Sequence, residues 1–320
     1  MTRFLFFLLF QLQTLAFSGC RQPAIQASAT SLYKTRNVVV VVVDGPRYSE
    51  TWGSKDHALV PRMANELAHE GVINPAFYNT GPTYTNAGHA AITTGVHQHI
   101  NNSGLELPRN PSYLQYWLEA TGNHNRKAWI VTSKDKLHIL ANTKDKTYQG
   151  KFLPATNCGI NGPNTGYRQD SVTLRVAKNV LQTEKPNLLF INFKEPDSRG
   201  HSNDWEGYLR AIKACDEYVF QLWKFLQEDE YYRGTTTFIV TNDHGRHLDG
   251  HDDGFVSHGD NCEGCRHLNF YASGPDFKTN VIIGKKYNQT DIPATIAELL
   301  HFRMPTGKGD VMWELFSSKP

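Results

Sequence analysis

Asn37-Val38-Val39-Val40-Val41-Val42-Val43-Asp44-Gly45-Pro46 is the stretch on which the fold turns. Six consecutive β-branched residues with no polar alternation describe a strand buried on both faces, since a strand with one wet face alternates apolar and polar side chains. Such strands belong to parallel sheets covered by helices. Asp-Gly-Pro ends the run, so Asp44 falls at the strand's carboxyl end, where open α/β sheets place their ligand sites. Two more runs repeat the pattern: Leu188–Phe193, followed by Glu195-Pro196-Asp197, and 235–241, followed by Asn242-Asp243. Each brings an aspartate to one rim. Between them, 204–228 carries Tyr208, Ile212, Cys215, Val219, Leu222, Phe225 and Leu226 at helical spacing, which reads as an amphipathic crossover helix. Strand, helix, strand is the parallel unit. Further helices are expected over 61–69 before Gly71, over 112–120 before Gly122, and over 291–300. The expected architecture is α/β, a three-layer sandwich with a mostly parallel central sheet.

The 320 residues contain 39% hydrophobic, 12% aromatic and 20% charged residues, which suits one domain with a sizeable core and excludes disordered or collagen-like structure. We read 37–320 as that domain and 21–36 as a linker. The segment 143–168, rich in Gly, Asn, Pro, Thr and Lys, reads as irregular structure over the sheet. Net charge is +2, with 33 Lys and Arg against 31 Asp and Glu, so the chain has no nucleic-acid-binding signature. Histidine is different: there are 14, and His244, His247, His251 and His258 fall within fifteen residues. Such clustering points to metal chemistry.

At the amino terminus Arg3 precedes an apolar run over 4–17, interrupted by Gln11 and Gln13 and ending in Phe17-Ser18-Gly19-Cys20. It is too short and interrupted for a membrane span. Small residues before a cysteine resemble a bacterial lipobox, with Phe17 standing where Leu is usual. Residues 1–20 are therefore read as an export signal, with a lipid anchor at Cys20 holding the protein to the membrane in the periplasm or cell envelope. Of the other cysteines, Cys262 and Cys265 form one Cys-x-x-Cys. A single such pair is weak evidence for a zinc ribbon, and a local staple or two free thiols is the simpler reading.

Asp44, Asp197, His201, Asp243, His244 and His258 all lie near predicted strand ends. Carboxylates and imidazoles are the ligand types for two divalent cations roughly 4 Å apart. Singly, each has a structural explanation as a turn, cap or surface residue. Asp243-His244-Gly245 is more specific, because consecutive chelating residues beside a glycine that permits a sharp turn have few structural reasons to occur together.

Pro82-Thr83-Tyr84-Thr85-Asn86-Ala87-Gly88-His89, followed by Thr93-Thr94-Gly95, resembles the nucleophile region of nucleotide pyrophosphatases/phosphodiesterases in the alkaline-phosphatase superfamily. Asp44, the segment Asp197-Ser198-Arg199-Gly200-His201, Asp243-His244-Gly245 and His258-Gly259-Asp260-Asn261 follow in that family's order. The resemblance implies an alkaline-phosphatase-like fold and two divalent metal ions, zinc being expected and manganese the alternative. It implies Asp44, Thr85, Asp243 and His244 around the metal nearest the nucleophile, and Asp197, His201 and His258 around the other. His247 and His251 are alternatives to His258. Tyr84 stands where the diesterases have Lys, and Asn86-Ala87-Gly88 where they have Phe-Pro-Asn.

The resemblance also implies attack by Thr85 and a covalent phosphothreonine. A bare threonine hydroxyl is a weak nucleophile, whereas cation coordination favours its alkoxide, and a helix starting at Thr85 favours a bound phosphate. Asn102 is the candidate donor to a phosphoryl oxygen, with Asn101 as competitor and a plain turn as the structural alternative. The expected partner is a small-molecule phosphate ester. A phosphodiesterase or nucleotide pyrophosphatase comes first, since no ligand set for a third metal is apparent. A phosphomonoesterase or phosphonate hydrolase follows. A sulfatase lacks its Cys-or-Ser-x-Pro-x-Arg motif here, and a noncatalytic surface lipoprotein would have lost ligands.

Overall fold

The computed structural model describes residues 32–318, so the stretch 1–20 read as an export signal, its Cys20 and residues 21–31 of the expected linker lie outside the described residues. The described residues from Tyr33 onward form one compact unit. Tyr33 and Thr35, in the stretch read as linker, are buried against that unit. Thr35 donates from its amide and its hydroxyl to Asp276 at 2.7 and 2.6 Å.

The strands are β1 (Asn37–Val43), β2 (Val72–Ile73), β3 (Phe77–Tyr78), β4 (Ala128–Thr132), β5 (Ala155–Cys158), β6 (Leu188–Phe193), β7 (Thr236–Thr241), β8 (His267–Leu268), β9 (Phe270–Ser273), β10 (Val281–Ile282) and β11 (Tyr287–Asn288). Among the described residues they form an eight-stranded sheet in the order β10-β2-β9-β7-β1-β6-β4-β5 and a small sheet β11-β3-β8. Strands β7, β1, β6, β4 and β5 are parallel, and β9 runs antiparallel to β7 and β2. The expected α/β architecture with a mostly parallel sheet is what the chain adopts.

The helices are α1 (Thr85–Thr94), α2 (Tyr113–Thr121), α3 (Asp170–Glu184), α4 (Glu195–His201), α5 (Trp205–Glu228), α6 (Glu263–Arg266) and α7 (Asp291–Leu299). The valine run explains why they cover both faces. Val38, Val40 and Val42 enter one apolar cluster with Ala90 of α1, Leu114 of α2 and Ile296 of α7. Val39, Val41 and Val43 enter a second with Leu174 of α3 and Ile212, Val219 and Leu222 of α5. Alternate side chains of one strand thus hold two cores, as strand geometry requires.

Segment 61–69 departs from the expected α-helix. After Pro61 and Arg62 it becomes a π-helix, Met63–Leu67, and then a 3₁₀ turn, Ala68–Glu70. Both ends are fixed. The Asp216 carboxylate in α5 accepts from the amides of Arg62 and Met63 at 2.8 and 2.9 Å, and a Cβ on Gly71 would come within 2.4 Å of the Ala272 carbonyl oxygen. The change of helical pitch lies between these anchors. Segment 143–168 is largely irregular, as expected, but contributes β5 to the sheet edge.

Candidate active site

The central strands end together, because Val42 of β1 lies level with Asn192 of β6 and Thr241 of β7. The chain leaving these neighbours sets Asp44, Asp197 and Asp243-His244 side by side, all buried. Thr85 is the first residue of α1, after Tyr84 in extended conformation, and α1 is buried along its whole length. Gly88 makes the close approach feasible: a Cβ there would lie 2.4 Å from the Asp243 carbonyl oxygen. His89, one turn after Thr85, donates from Nδ1 to the Thr85 carbonyl at 2.8 Å and accepts from Asn192 Nδ2 at 3.1 Å.

Three buried donor atoms beside this helix, Asp44 Oδ1, Asp243 Oδ2 and His244 Nε2, have no hydrogen-bond partner; His89 Nδ1 lies 3.1 Å from Asp243 Oδ2, but its N–H is directed to the Thr85 carbonyl. His244 Nε2 lies 3.5 Å from Asp44 Oδ1 and 3.3 Å from Asp243 Oδ2. His244 Nδ1 donates to the Gly245 carbonyl at 2.9 Å, which leaves the Nε2 lone pair facing the carboxylates. Burial pushes the His244 pKa down to about 3, against the pull of Asp243, so the ring is a neutral ligand. Burial and the nearby Asp243 charge push Asp44 up to about 7, with Lys134 opposing. Burial also works against ionised Asp243, but His244 and His89 outweigh it and hold this carboxyl below its ordinary range. Buried polar atoms without partners are rare. Two carboxylate oxygens and one imidazole nitrogen converging in this way fit a divalent cation.

Asp197, His201 and His258 form a second cluster on the other side of His244. Asp197 Oδ1 lies 3.3 Å from His201 Nε2 and 3.4 Å from His258 Nε2, and the two imidazole nitrogens are 3.1 Å apart. His258 Nδ1 donates to the Thr83 carbonyl at 2.7 Å, again leaving Nε2 as the inward lone pair. His258 and His244 stack with centroids 3.7 Å apart, joining the clusters. His247 and His251 point elsewhere, His247 Nδ1 to Asp253 at 3.0 Å and His251 Nε2 to Asp260 at 2.7 Å. Of the two asparagines, Asn102 reaches α1, its Oδ1 accepting from the Asn86 amide at 3.1 Å. The Asn101 side chain instead accepts from the Ser103 amide at 3.1 Å.

Two cations in this site were not anticipated from sequence. Lys134 is buried, and its Nζ lies 2.7 Å from Asp197 Oδ2, 2.9 Å from Asp44 Oδ2 and 3.2 Å from Thr85 Oγ1. Burial opposes its charge, but the three carboxylates Asp197, Asp44 and Asp243 hold it protonated far above neutral pH. It follows the carboxyl end of β4, so the strand-end rule applied to 128–132 would have found it. Arg246, directly after Asp243-His244-Gly245, is also buried and donates from Nη1 to Asp197 Oδ1 at 2.5 Å and from Nη2 to the Val256 carbonyl at 2.6 Å.

The family model of the Metalloenzyme superfamily matches residues 36–304. Over 141 residues the chain is 29% identical to a phosphopentomutase of Herpetosiphon aurantiacus, a match covering 42% of this chain and 32% of that protein. The chain spans about a third or less of the length of the curated relatives it matches first. Its fold is shared with murine ectonucleotide pyrophosphatase/phosphodiesterase 5 at a TM-score of 0.62 and 16% identity, covering 88% of this chain and 100% of that one. A mutant of alkaline phosphatase PafA superposes with a TM-score of 0.66 at 11% identity, covering 88% and 99%.

Proposed function

The chain belongs to the Metalloenzyme superfamily, and on that premise we propose that it is a two-metal phosphate-ester hydrolase in which Thr85 is the nucleophile. The observation that carries this reading is the trio of unpartnered buried donors, Asp44 Oδ1, Asp243 Oδ2 and His244 Nε2, beside a helix that begins at Thr85. Asp44, Thr85, Asp243 and His244 would hold one cation and Asp197, His201 and His258 the other. Both sets mix imidazoles with carboxylates, and the imidazoles make zinc the first choice of ion and manganese the second. When bound, the cations supply positive charge that favours the threonine alkoxide and offsets charge on the leaving oxygen.

The chain's own residues account for the rest. As the bond from Thr85 Oγ1 to phosphorus forms, the ester P–O bond breaks, the hydroxyl proton lost from Thr85 is balanced by one gained at the leaving oxygen, and the alcohol departs, leaving phosphothreonine. Attack by water then releases phosphate and restores the hydroxyl. Lys134, being protonated, has no lone pair to take the threonine proton. Its part is to hold negative charge on Oγ1 and on the phosphoryl oxygens in a buried site, where such interactions are strong. The amino terminus of α1 favours the same anion. Asn102, whose Oδ1 accepts from the Asn86 amide at that helix end, would offer its Nδ2 to a phosphoryl oxygen.

Lys134 also bears on substrate class. The neighbourhood of Thr85 resembles diesterases, but a phosphate monoester carries one more negative charge at the transferred group than a diester. A buried ammonium 3.2 Å from Oγ1 favours that extra charge. We therefore rank monoesters first, diesters second and phosphonates third. The test compares purified, metal-loaded enzyme on aryl monoester, diester, phosphonate and sulfate substrates, with acid-quenched samples weighed intact. The proposal expects the monoester to be turned over fastest and one added phosphoryl group in wild type but not in Thr85→Ala. No turnover of any of the four would sink it. Export rests on the leader ending at Cys20 and is a separate proposal: Cys20→Ser should move the protein from the membrane fraction to the soluble one.

A further inference from the structure

We infer that His247, Asp260, Cys262 and Cys265 form a separate tetrahedral site for a zinc-class cation, one that fastens the loop carrying His258. The four residues can each offer one ligand atom with all four atoms within 4.8 Å of one another. None of the four belongs to the clusters around Thr85. A tetrahedral zinc with bonds of ~2.0–2.3 Å spaces its ligands by ~3.3–3.8 Å, so binding needs a contraction of about 1.5 Å at most between any two of the atoms.

His247 carries the argument. Its side chain is buried and its Nε2 has no hydrogen-bond partner, facing Asp260 Oδ1 at 3.5 Å. Nδ1 is hydrogen-bonded to Asp253 Oδ1 at 3.0 Å, which puts the ring proton on Nδ1 and the lone pair on Nε2. A carboxylate behind a histidine in this way is the usual outer partner of a metal-bound imidazole. Both thiols are free, Cys265 fully buried and Cys262 partly. The short helix α6 brings the two sulfurs to one side at the two-residue spacing common in zinc sites. Two sulfur ligands select zinc over magnesium or calcium. Binding expels one proton from each thiol; with Asp260 the site then carries one net negative charge, which His251 faces 2.7 Å from Asp260 Oδ2.

The site lies across the two ends of one loop. The Gly245 amide donates to the Cys265 carbonyl at 2.9 Å and the His247 amide to the Ser257 carbonyl at 3.1 Å. His258 stands between Ser257 and Gly259 on that loop. A cation here pins both ends to each other and so restrains His258 without touching substrate.

The experiment uses the whole mature chain, purified without oxygen, stripped of metal and titrated with cobalt(II). We expect a near-ultraviolet thiolate-to-cobalt charge-transfer band that persists in Asp197→Asn and vanishes in the Cys262→Ser/Cys265→Ser double variant. Asp253→Asn, an exposed change that should not disturb folding, should weaken the affinity read from that band by roughly 10–100-fold. Keeping the band in Asp197→Asn separates this site from the catalytic one, so the proposal stands or falls apart from the two-metal reading. Absence of the band in reduced wild type would overturn it, as would its survival in the double variant. So would a chain isolated from cells two hydrogens lighter through a Cys262–Cys265 disulfide.

Discussion

A threonine hydroxyl is a poor nucleophile in water, and Thr85 differs by its neighbours: a buried ammonium 3.2 Å away and one atom each of Asp44, Asp243 and His244 left without a hydrogen bond. Replacing Thr85 by Ala should lower kcat by at least ~10³-fold with metal content largely intact, since Asp44, Asp243 and His244 remain, as read by elemental analysis beside steady-state rates. Lys134→Ala should cost roughly 10²–10³-fold in kcat on an aryl monoester and clearly less on the matching diester; equal losses on both would remove Lys134 as a discriminator. In chelated protein Asp44 is raised from its ordinary 3.8 to about 7. Between those values the folded chain keeps a proton that the unfolded chain has lost, so stability contributed by this group falls as pH rises through that window and is level above it. Because His244, held down to about 3, contributes the opposite slope below its ordinary 6.5, the fall is read as the difference between wild type and Asp44→Asn in thermal melts of chelated protein from pH 5 to 8. The strand-end aspartates and Asp243-His244 were legible because strand ends and chelating triplets are local patterns. Lys134, although it follows the end of β4, and Arg246 were passed over because neither is a metal-ligand type, and Lys134 gains its role only from the three distant carboxylates around it.

At the scale of elements, α1 is unusual in being buried on every side, and its small residues are what let it pass the ends of β1 and β7. Gly88→Ala adds helix propensity worth about 1 kcal/mol, yet its methyl would strike the Asp243 carbonyl. Overpacking of this kind costs ~1–3 kcal/mol, so a lower melting temperature and a kcat loss from a displaced Thr85 are expected together; unchanged kcat would show that α1 yields without moving its first residue. The central strands and α5 were readable because their periodicity is unbroken. The run 61–69 was misread as an α-helix because its local sequence is helical, while its ends are held by Asp216 and by the β9 backbone, contacts that only the tertiary structure supplies. The edge strand β5 lies in a stretch with no apolar pattern, and its pairing with β4 comes from backbone hydrogen bonding rather than side chains.

Across the whole molecule, three strand ends, one helix start and the loop bearing His258 meet at one rim of the sheet, so metal occupancy and fold stability are coupled. Zinc at a hundredfold above its dissociation constant should stabilise the folded state by about 2.7 kcal/mol per site and raise the melting temperature by about 5 °C; a melting curve indifferent to chelator would show that the clusters are rigid without cations. The valine strand has a further consequence, in time rather than in space. β1 is synthesised early, but it pairs Val38 with Leu188 and with Thr237. At 5–20 residues per second its first partner follows on the order of ten seconds later. For that interval six valines without a charge or a proline among them are a segment suited to pairing with the same run in a neighbouring chain. Recovery of this protein after dilution from denaturant should therefore decline with chain concentration, and a holding chaperone present from the start should restore it.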